Sequence, residues 1–183
     1  MNTRRKHSSP MSVAKRAEAS GDKSAEQSSP IVRIRKRTSS SNAGQFVAWH
    51  HMDVNEKINV IRLGVPARMV GDLSSFMGIS KEALIDSLGL SRATINRKVQ
   101  RELPLSRDES ERVMGMQSLI GQVQAMIDVD SAPNFDAAKW LARWLTEPLP
   151  ALGGATPASY MDTVEGQKYV GNMLAMAQSG AYA

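Results

Sequence analysis

GLSRATINRKVQR, residues 89–101, decides how the rest of this chain is read. A Gly-Leu step precedes Ser91, a residue type that caps helix N-termini by accepting a backbone N–H. After it come Arg92, Thr94, Asn96, Arg97, Lys98 and Arg101, with no acid among them, against only Ala93, Ile95 and Val99. A solvated helix usually mixes charge signs along its face. A helix with one sign and many donors suits an acceptor-rich partner.

The preceding residues complete a motif. Ser80 is placed to cap KEALIDSL, whose Leu84, Ile85 and Leu88 turn inward. Gly89 then reverses the chain, Leu90 fills the corner, and Ile95 and Val99 anchor a second helix one turn apart. This is the helix-turn-helix arrangement, and it leaves the N-terminal end of the second helix free for a major groove. Ile85 stands where a small residue commonly lets the two helices approach, so a slightly wider crossing is expected. Ser91, Arg92, Thr94 and Asn96 are the expected groove face, with Arg92 suited to guanine and Asn96 to adenine. Arg97, Lys98 and Arg101 are placed for phosphates, which position a protein without reading sequence. The competing reading is an ordinary helical hairpin with a cationic surface.

Length and charge frame this motif. The 183 residues suffice for one ordinary domain, or two small ones plus a tail. Residues 1–45 hold 10 Lys/Arg and 3 acids, a charge of +7; the whole chain is +5, so the remainder is −2. Any nucleic-acid surface in the folded part is therefore local. There is no cysteine, which excludes a disulfide framework and thiolate metal sites. No apolar run approaches the roughly 20 residues of a membrane span, and no secretory segment follows the basic start. A cytoplasmic protein is expected. The histidines, His7, His50 and His51, lie in or beside the tail. With no phosphate-cradling glycine loop and no nucleophile elbow, the expectation is no enzyme, no cofactor and no metal.

The chain divides into a disordered basic tail (1–45), a helix-turn-helix domain (53–128) and a C-terminal domain (129–183). The tail is low in hydrophobicity and Ser-rich, although IVRIRKRTSSS (31–41) alternates briefly as a strand would. It reads as a solvated segment, as a basic arm for phosphates, or as sequence upstream of a true start at Met52. From Asp53 the period is helical. NEKINVIRL places Ile58, Ile61 and Leu63 on one side; PARMVGDLSSFM, opened by Pro66, carries Val70, Leu73, Phe76 and Met77 and closes at Gly78. Ser106 and Glu109 form a capping box that opens a long helix to about Ile127. Its Val113, Met116, Ile120, Val123 and Ile127 make a three-four seam, fit for a core or for a second copy.

Beyond it, Asn134 is the expected cap of a helix with Phe135, Ala138, Leu141, Trp144 and Leu145 in line and Trp140 adjacent. EPLPALGGATP is a turn-rich connector. Thr156-Pro157 starts a short helix, and Asp162 with Glu165 is the expected capping box of a last one carrying Val164, Tyr169, Met173 and Met176. No strand is compelling, so the class is all-α.

The order of parts resembles the Xre/MbcA/ParS antitoxin family. The helix-turn-helix is followed by LSRDESERV (105–113), a Phe/Trp helix, PALGGATPASYMDTVEG (150–166) and a GAYA end. The resemblance covers residue 53 to the last residue, and its most specific part is PALGGATP with MDTVEG. It implies an antitoxin of a type II module, whose N-terminal helices bind double-stranded operon-promoter DNA. Its C-terminal domain would cover a toxin, commonly of the RES-domain type that consumes or transfers from NAD. It further implies that the chain end lies at the entrance of the toxin's active site. The implied contact set is Trp140, Trp144, Leu152, Gly153, Gly154, Tyr160, Tyr169, Gly180, Ala181, Tyr182 and Ala183.

The residues agree in part. From Asp128 on there are six acids and three bases, a charge of −3, which suits a protein partner better than DNA. For the two tryptophans, a core role competes with that of interface anchors. A homodimer is expected, since paired recognition helices read half-sites about 34 Å apart. Two rivals differ in class: a stand-alone regulator whose C-terminal domain dimerises or senses a ligand, and an enzyme with an unrecognised carboxylate site.

Overall fold

The computed structural model describes residues 42–127, 132 and 134–178. Among them are eight α-helices: α1 Asn42–His51, α2 Val54–Leu63, α3 Met69–Met77, α4 Lys81–Ser87, α5 Arg92–Gln100, α6 Arg107–Met126, α7 Ala137–Trp144 and α8 Val164–Gln178. Short 3-10 turns, Pro150–Leu152 and Pro157–Tyr160, join α7 to α8. Among the described residues, extended pairing is limited to an isolated bridge between Pro66 and Pro104. The fold is all-α, as the periodicity predicts.

Helix α6 is the centre. Its capping box forms as expected: Ser106 Oγ accepts from the Glu109 N–H at 3.3 Å, and the Glu109 carboxylate accepts from the Ser106 N–H at 2.6 Å. Val113, Met116, Ile120 and Val123 are buried, and so are Met114, Gln117 and Leu119 on the flanks. A helix buried on so many sides is a core helix. Helices α1, α2, α3, α7 and α8 all pack against it. The three-four seam is therefore filled by this chain's own helices rather than by a second copy.

Helix α1 corrects the expected tail boundary, because the chain is already helical at Asn42. Phe46 and Trp49 are 4% and 5% exposed, and Phe46 meets Phe76 edge-on at 5.7 Å. Gly121 of α6 permits the close approach of α1: a Cβ there would lie 2.3 Å from the Phe46 carbonyl oxygen. A start at Met52 would remove this helix from the core. Residues 1–41, with the expected basic arm and the alternating 31–41 stretch, lie outside the described residues.

Several faces differ from the expected ones. On α2, Val60 is buried and Ile61 half-buried, whereas Ile58 and Leu63 are exposed. That helix is phased by its Asp53 cap and by Lys57, whose Nζ donates to the His50 carbonyl at 2.7 Å. Pro66 lies three residues ahead of α3, in a turn where the Met69 N–H meets the Pro66 carbonyl at 3.0 Å. The α3 stripe of Val70, Leu73 and Met77 is buried as expected, and Gly78 closes the helix. Helix α7 is capped by Asp136, which accepts from the Lys139 N–H at 3.1 Å, rather than by Asn134.

The largest departure is α8. Thr163 caps it, its Oγ1 accepting from the Gly166 N–H at 3.1 Å; the Asp162–Glu165 box does not form. Its buried face runs through Gln167, Val170, Met173 and Leu174, leaving Tyr169 and Met176 exposed. The reason is a close approach to α6 at Gly115, where a Cβ would sit 1.8 Å from Gln167 Oε1. The inner face is centred on a polar side chain, which an apolar period does not reveal.

Candidate functional site

The turn between α4 and α5 is built as the sequence predicts. Leu84, Ile85 and Leu88 are fully buried, and Ser80 caps α4 by accepting from the Ala83 N–H at 3.1 Å. Gly89 takes φ +60°, a conformation that disfavours any residue with a Cβ. Leu90 is buried, its N–H on the Ile85 carbonyl at 2.9 Å. Ser91 caps α5, accepting from the Thr94 N–H at 3.3 Å.

Helix α5 docks differently from the expected face. Ile95 is fully buried, but Val99, its expected partner, is exposed. The second anchor is Lys98, 17% exposed and paired with Glu109 of α6, itself 13% exposed. Burial alone would raise the Glu109 pKa, but the Lys98 ammonium and Ser106 together hold it below its ordinary value. The Lys98 charge is thus engaged inside the domain and is not free for a phosphate. Ser91, Arg92, Asn96, Arg97 and Arg101 are exposed, and Thr94 is half-buried. Gln100 is exposed on the same side, one turn beyond Asn96, and the sequence reading passed over it.

The outer face is also not free of acids once α4 is included. Arg92 Nε donates to Asp86 Oδ1 at 2.8 Å, and its Nη2 donates to Asp86 Oδ2. This fork lowers the Asp86 pKa and raises that of Arg92. Asn96 Oδ1 accepts from Lys81 Nζ at 2.8 Å. Both expected base-reading side chains are therefore held by α4, which no periodicity in α5 could disclose.

The C-terminal candidates form two ring clusters. Trp140 and Trp144 stack, 6.1 Å apart and 12° from parallel, and Phe135 lies 6.2 Å from Trp140. All three are half-buried, while Ala137, Ala138, Leu141 and Leu145 face the core. Trp140, Phe135, Lys139, Arg143, Met77 and Ile79 line an open pocket of 640 Å³. Tyr160 and Tyr169 meet at 5.7 Å. Gly153 (φ +64°) and Gly154 (φ +88°) turn an exposed loop, in which the Leu149 N–H meets the Ala155 carbonyl at 3.1 Å. Leu152 beside them is half-buried. Gly180, Ala181, Tyr182 and Ala183 lie outside the described residues.

The two regions are joined by polar side chains. Arg112 of α6 donates through Nη1 to the carbonyls of Leu88 and Gly89, at 3.0 and 2.9 Å, clamping the turn before α5. Its own carbonyl accepts from Gln167 Nε2 of α8 at 3.0 Å, and that nitrogen also reaches the Met161 carbonyl at 2.9 Å. Asp162 closes over the turn, its Cβ 2.9 Å from where a Cβ on Gly89 would be.

Fold and site together define a helix-turn-helix protein with an appended helical domain locked onto its turn. Residues 57–115 match the antitoxin Xre-like helix-turn-helix domain. Residues 134–180 match the antitoxin Xre/MbcA/ParS C-terminal toxin-binding domain. A Prs ADP-ribosylating antitoxin of Sphingobium sp. (strain YBL2) is 41% identical over 139 residues, 75% of this chain and 87% of the relative. An antitoxin Xre of Photorhabdus laumondii subsp. laumondii is 22% identical over 121 residues, 66% of this chain and 77% of the relative. The chain belongs to the Xre/MbcA/ParS antitoxin family and is an antitoxin of a toxin–antitoxin system. Among the described residues, no helix is long and apolar enough to cross a membrane.

Proposed function

We propose that this antitoxin neutralises a RES-domain toxin that consumes or transfers from NAD, and represses its own operon through α5. The observation that carries the toxin half is a coincidence of place. The toxin-binding match spans the half-exposed, stacked Trp140–Trp144 pair, and large rings held at a surface are characteristic interface anchors. The Sphingobium relative is named for ADP-ribosylation of Prs, a chemistry that draws ADP-ribose from NAD. The antitoxin itself performs no reaction. Trp140, Trp144, Leu152, Gly153, Gly154, Tyr160, Tyr169 and the end Gly180 to Ala183 cover the toxin's substrate cleft, and inhibition is steric.

Repression places two copies of α5 on promoter half-sites about 34 Å apart, in a homodimer. Arg92 and Asn96 read bases, Ser91, Thr94, Arg97 and Arg101 support and position, and Lys98 holds α5 to α6. Both partners place the protein in the cytoplasm. The test compares tagged full-length chain with one ending at Ser179, each recovered from the native host. One stoichiometric partner, toxic and NAD-depleting when expressed alone, is the expected result. The shortened chain should keep that partner but lose protection. Recovery of DNA without any protein partner would refute the toxin half. The exchange Trp140→Ala should weaken partner capture while leaving promoter binding intact.

A further inference from the structure

We infer that Asp86 and Lys81 of α4 are positioning residues for base readout, holding Arg92 and Asn96 in the orientation that meets a base edge. The inference rests on the DNA-reading half of the proposed function and assigns that site its specificity determinants. An arginine presents two edges. Its side edge, Nε with Nη2, and its end edge, Nη1 with Nη2, each offer a pair of parallel N–H groups. Asp86 takes the side edge, through Nε to Oδ1 at 2.8 Å and Nη2 to Oδ2. The end edge is not the one that Asp86 takes, and it is a fork that matches the O6 and N7 acceptors of guanine.

The geometry also answers why an acid stands on a surface meant for a polyanion. A free carboxylate there would repel phosphates, but this one is neutralised by the guanidinium it orients. Arg92 is 56% exposed and Asp86 53%, so the pair stands at the surface. A long, flexible side chain fixed before binding loses less freedom on docking, which is the general benefit of preorganisation. Lys81 acts on Asn96 in the same way. It donates to Oδ1 at 2.8 Å, which sets the orientation of the amide. A carbonyl oxygen has a second lone pair, so Oδ1 can still accept from adenine N6 while Nδ2 donates to N7.

Two readings of these pairs predict opposite signs. As buttresses, Asp86 and Lys81 raise discrimination between bases. As competitors, they must be displaced by DNA and lower affinity for the right site.

The experiment uses the full-length chain and a randomised 20-base-pair duplex pool as probe. Wild-type protein is first used to select a site; failure to enrich any sequence would overturn the DNA-reading half itself, and this inference with it. The base position at which Arg92→Ala loses guanine preference is then located. At that position Asp86→Ala should lower guanine discrimination about tenfold. It should also tighten binding to scrambled duplex, because a negative charge has been removed. Asp86→Asn, which keeps one acceptor oxygen, should fall between, and Lys81→Ala should relax only the base read by Asn96. A general loss of structure would weaken every sequence alike and would not single out one position. Asp86→Ala binding the selected site with undiminished or greater discrimination would overturn the inference and leave Asp86 a competitor.

Discussion

Gly121→Ala tests the packing of α1 on α6, because its sign runs against helix propensity. In an open helix interior this exchange stabilises by about 1 kcal/mol, since alanine loses less backbone freedom. Here the new methyl would fall 2.3 Å from the Phe46 carbonyl oxygen and 2.8 Å from His50 Cβ. Neither obstacle can rotate away, so α1 must move. Overpacking of a tight core costs about 1–3 kcal/mol, and two fixed obstacles place this site at the upper end. The net change is a destabilisation of about 1–2 kcal/mol, and Tm should fall by about 2–8 °C for a chain of this size. Circular-dichroism melting measures it, with Gly71→Ala in α3 as control, since a Cβ there meets nothing within 4 Å. The control should melt slightly higher than wild type. If Gly121→Ala rises as the control does, α1 does not lie against α6.

Three further outcomes follow from other contacts. A chain begun at Met52 loses the buried Phe46 and Trp49, and should lose up to about 3–6 kcal/mol of stability, read as a lower urea midpoint. Glu109 has a folded pKa below its ordinary 4.5, so its contribution is fully present above that value and is lost as pH falls through the folded pKa. Glu109→Gln should therefore lower stability near neutral pH and flatten the acid limb of a stability–pH curve below about pH 5. Arg112→Met removes both hydrogen bonds to the turn carbonyls. It should cost about 1–3 kcal/mol and weaken promoter binding more than toxin capture, as measured by anisotropy and pull-down. Equal losses in the two assays would show that the clamp does not act on the turn in particular.

The parts of the fold that were legible in sequence are those with short-range chemistry. Ser80, Ser91 and the Ser106–Glu109 box cap the helices they were expected to cap, because a cap needs only residues three positions apart. Gly89 and Leu90 form the turn for the same reason. The candidate reading residues Arg92 and Asn96 could be named because α5 starts where its cap says. Their orientation could not, since it depends on Asp86 and Lys81 in another helix.

Apolar periodicity succeeded where apolar residues make up most of the buried face, as on α3 and along the Val113–Val123 seam of α6. It failed where a polar residue lies at the contact. Lys98 replaces Val99 as the second anchor of α5 because Glu109 waits on α6 to neutralise it. Gln167 centres the inner face of α8 because Gly115 makes room for it and its amide reaches two carbonyls. By itself, the sequence determined the all-α class, the helix-turn-helix and the family, all written in local spacing and in one specific block of residues. Only the tertiary structure decided which side chains hold Arg92 and Asn96, where α1 belongs, and that Arg112 and Gln167 join the two regions. The bonds of Arg112 to the turn and of Gln167 to Arg112 reach across 23 to 55 residues of chain. Their stability comes from burial and mutual satisfaction after folding, which no local pattern records.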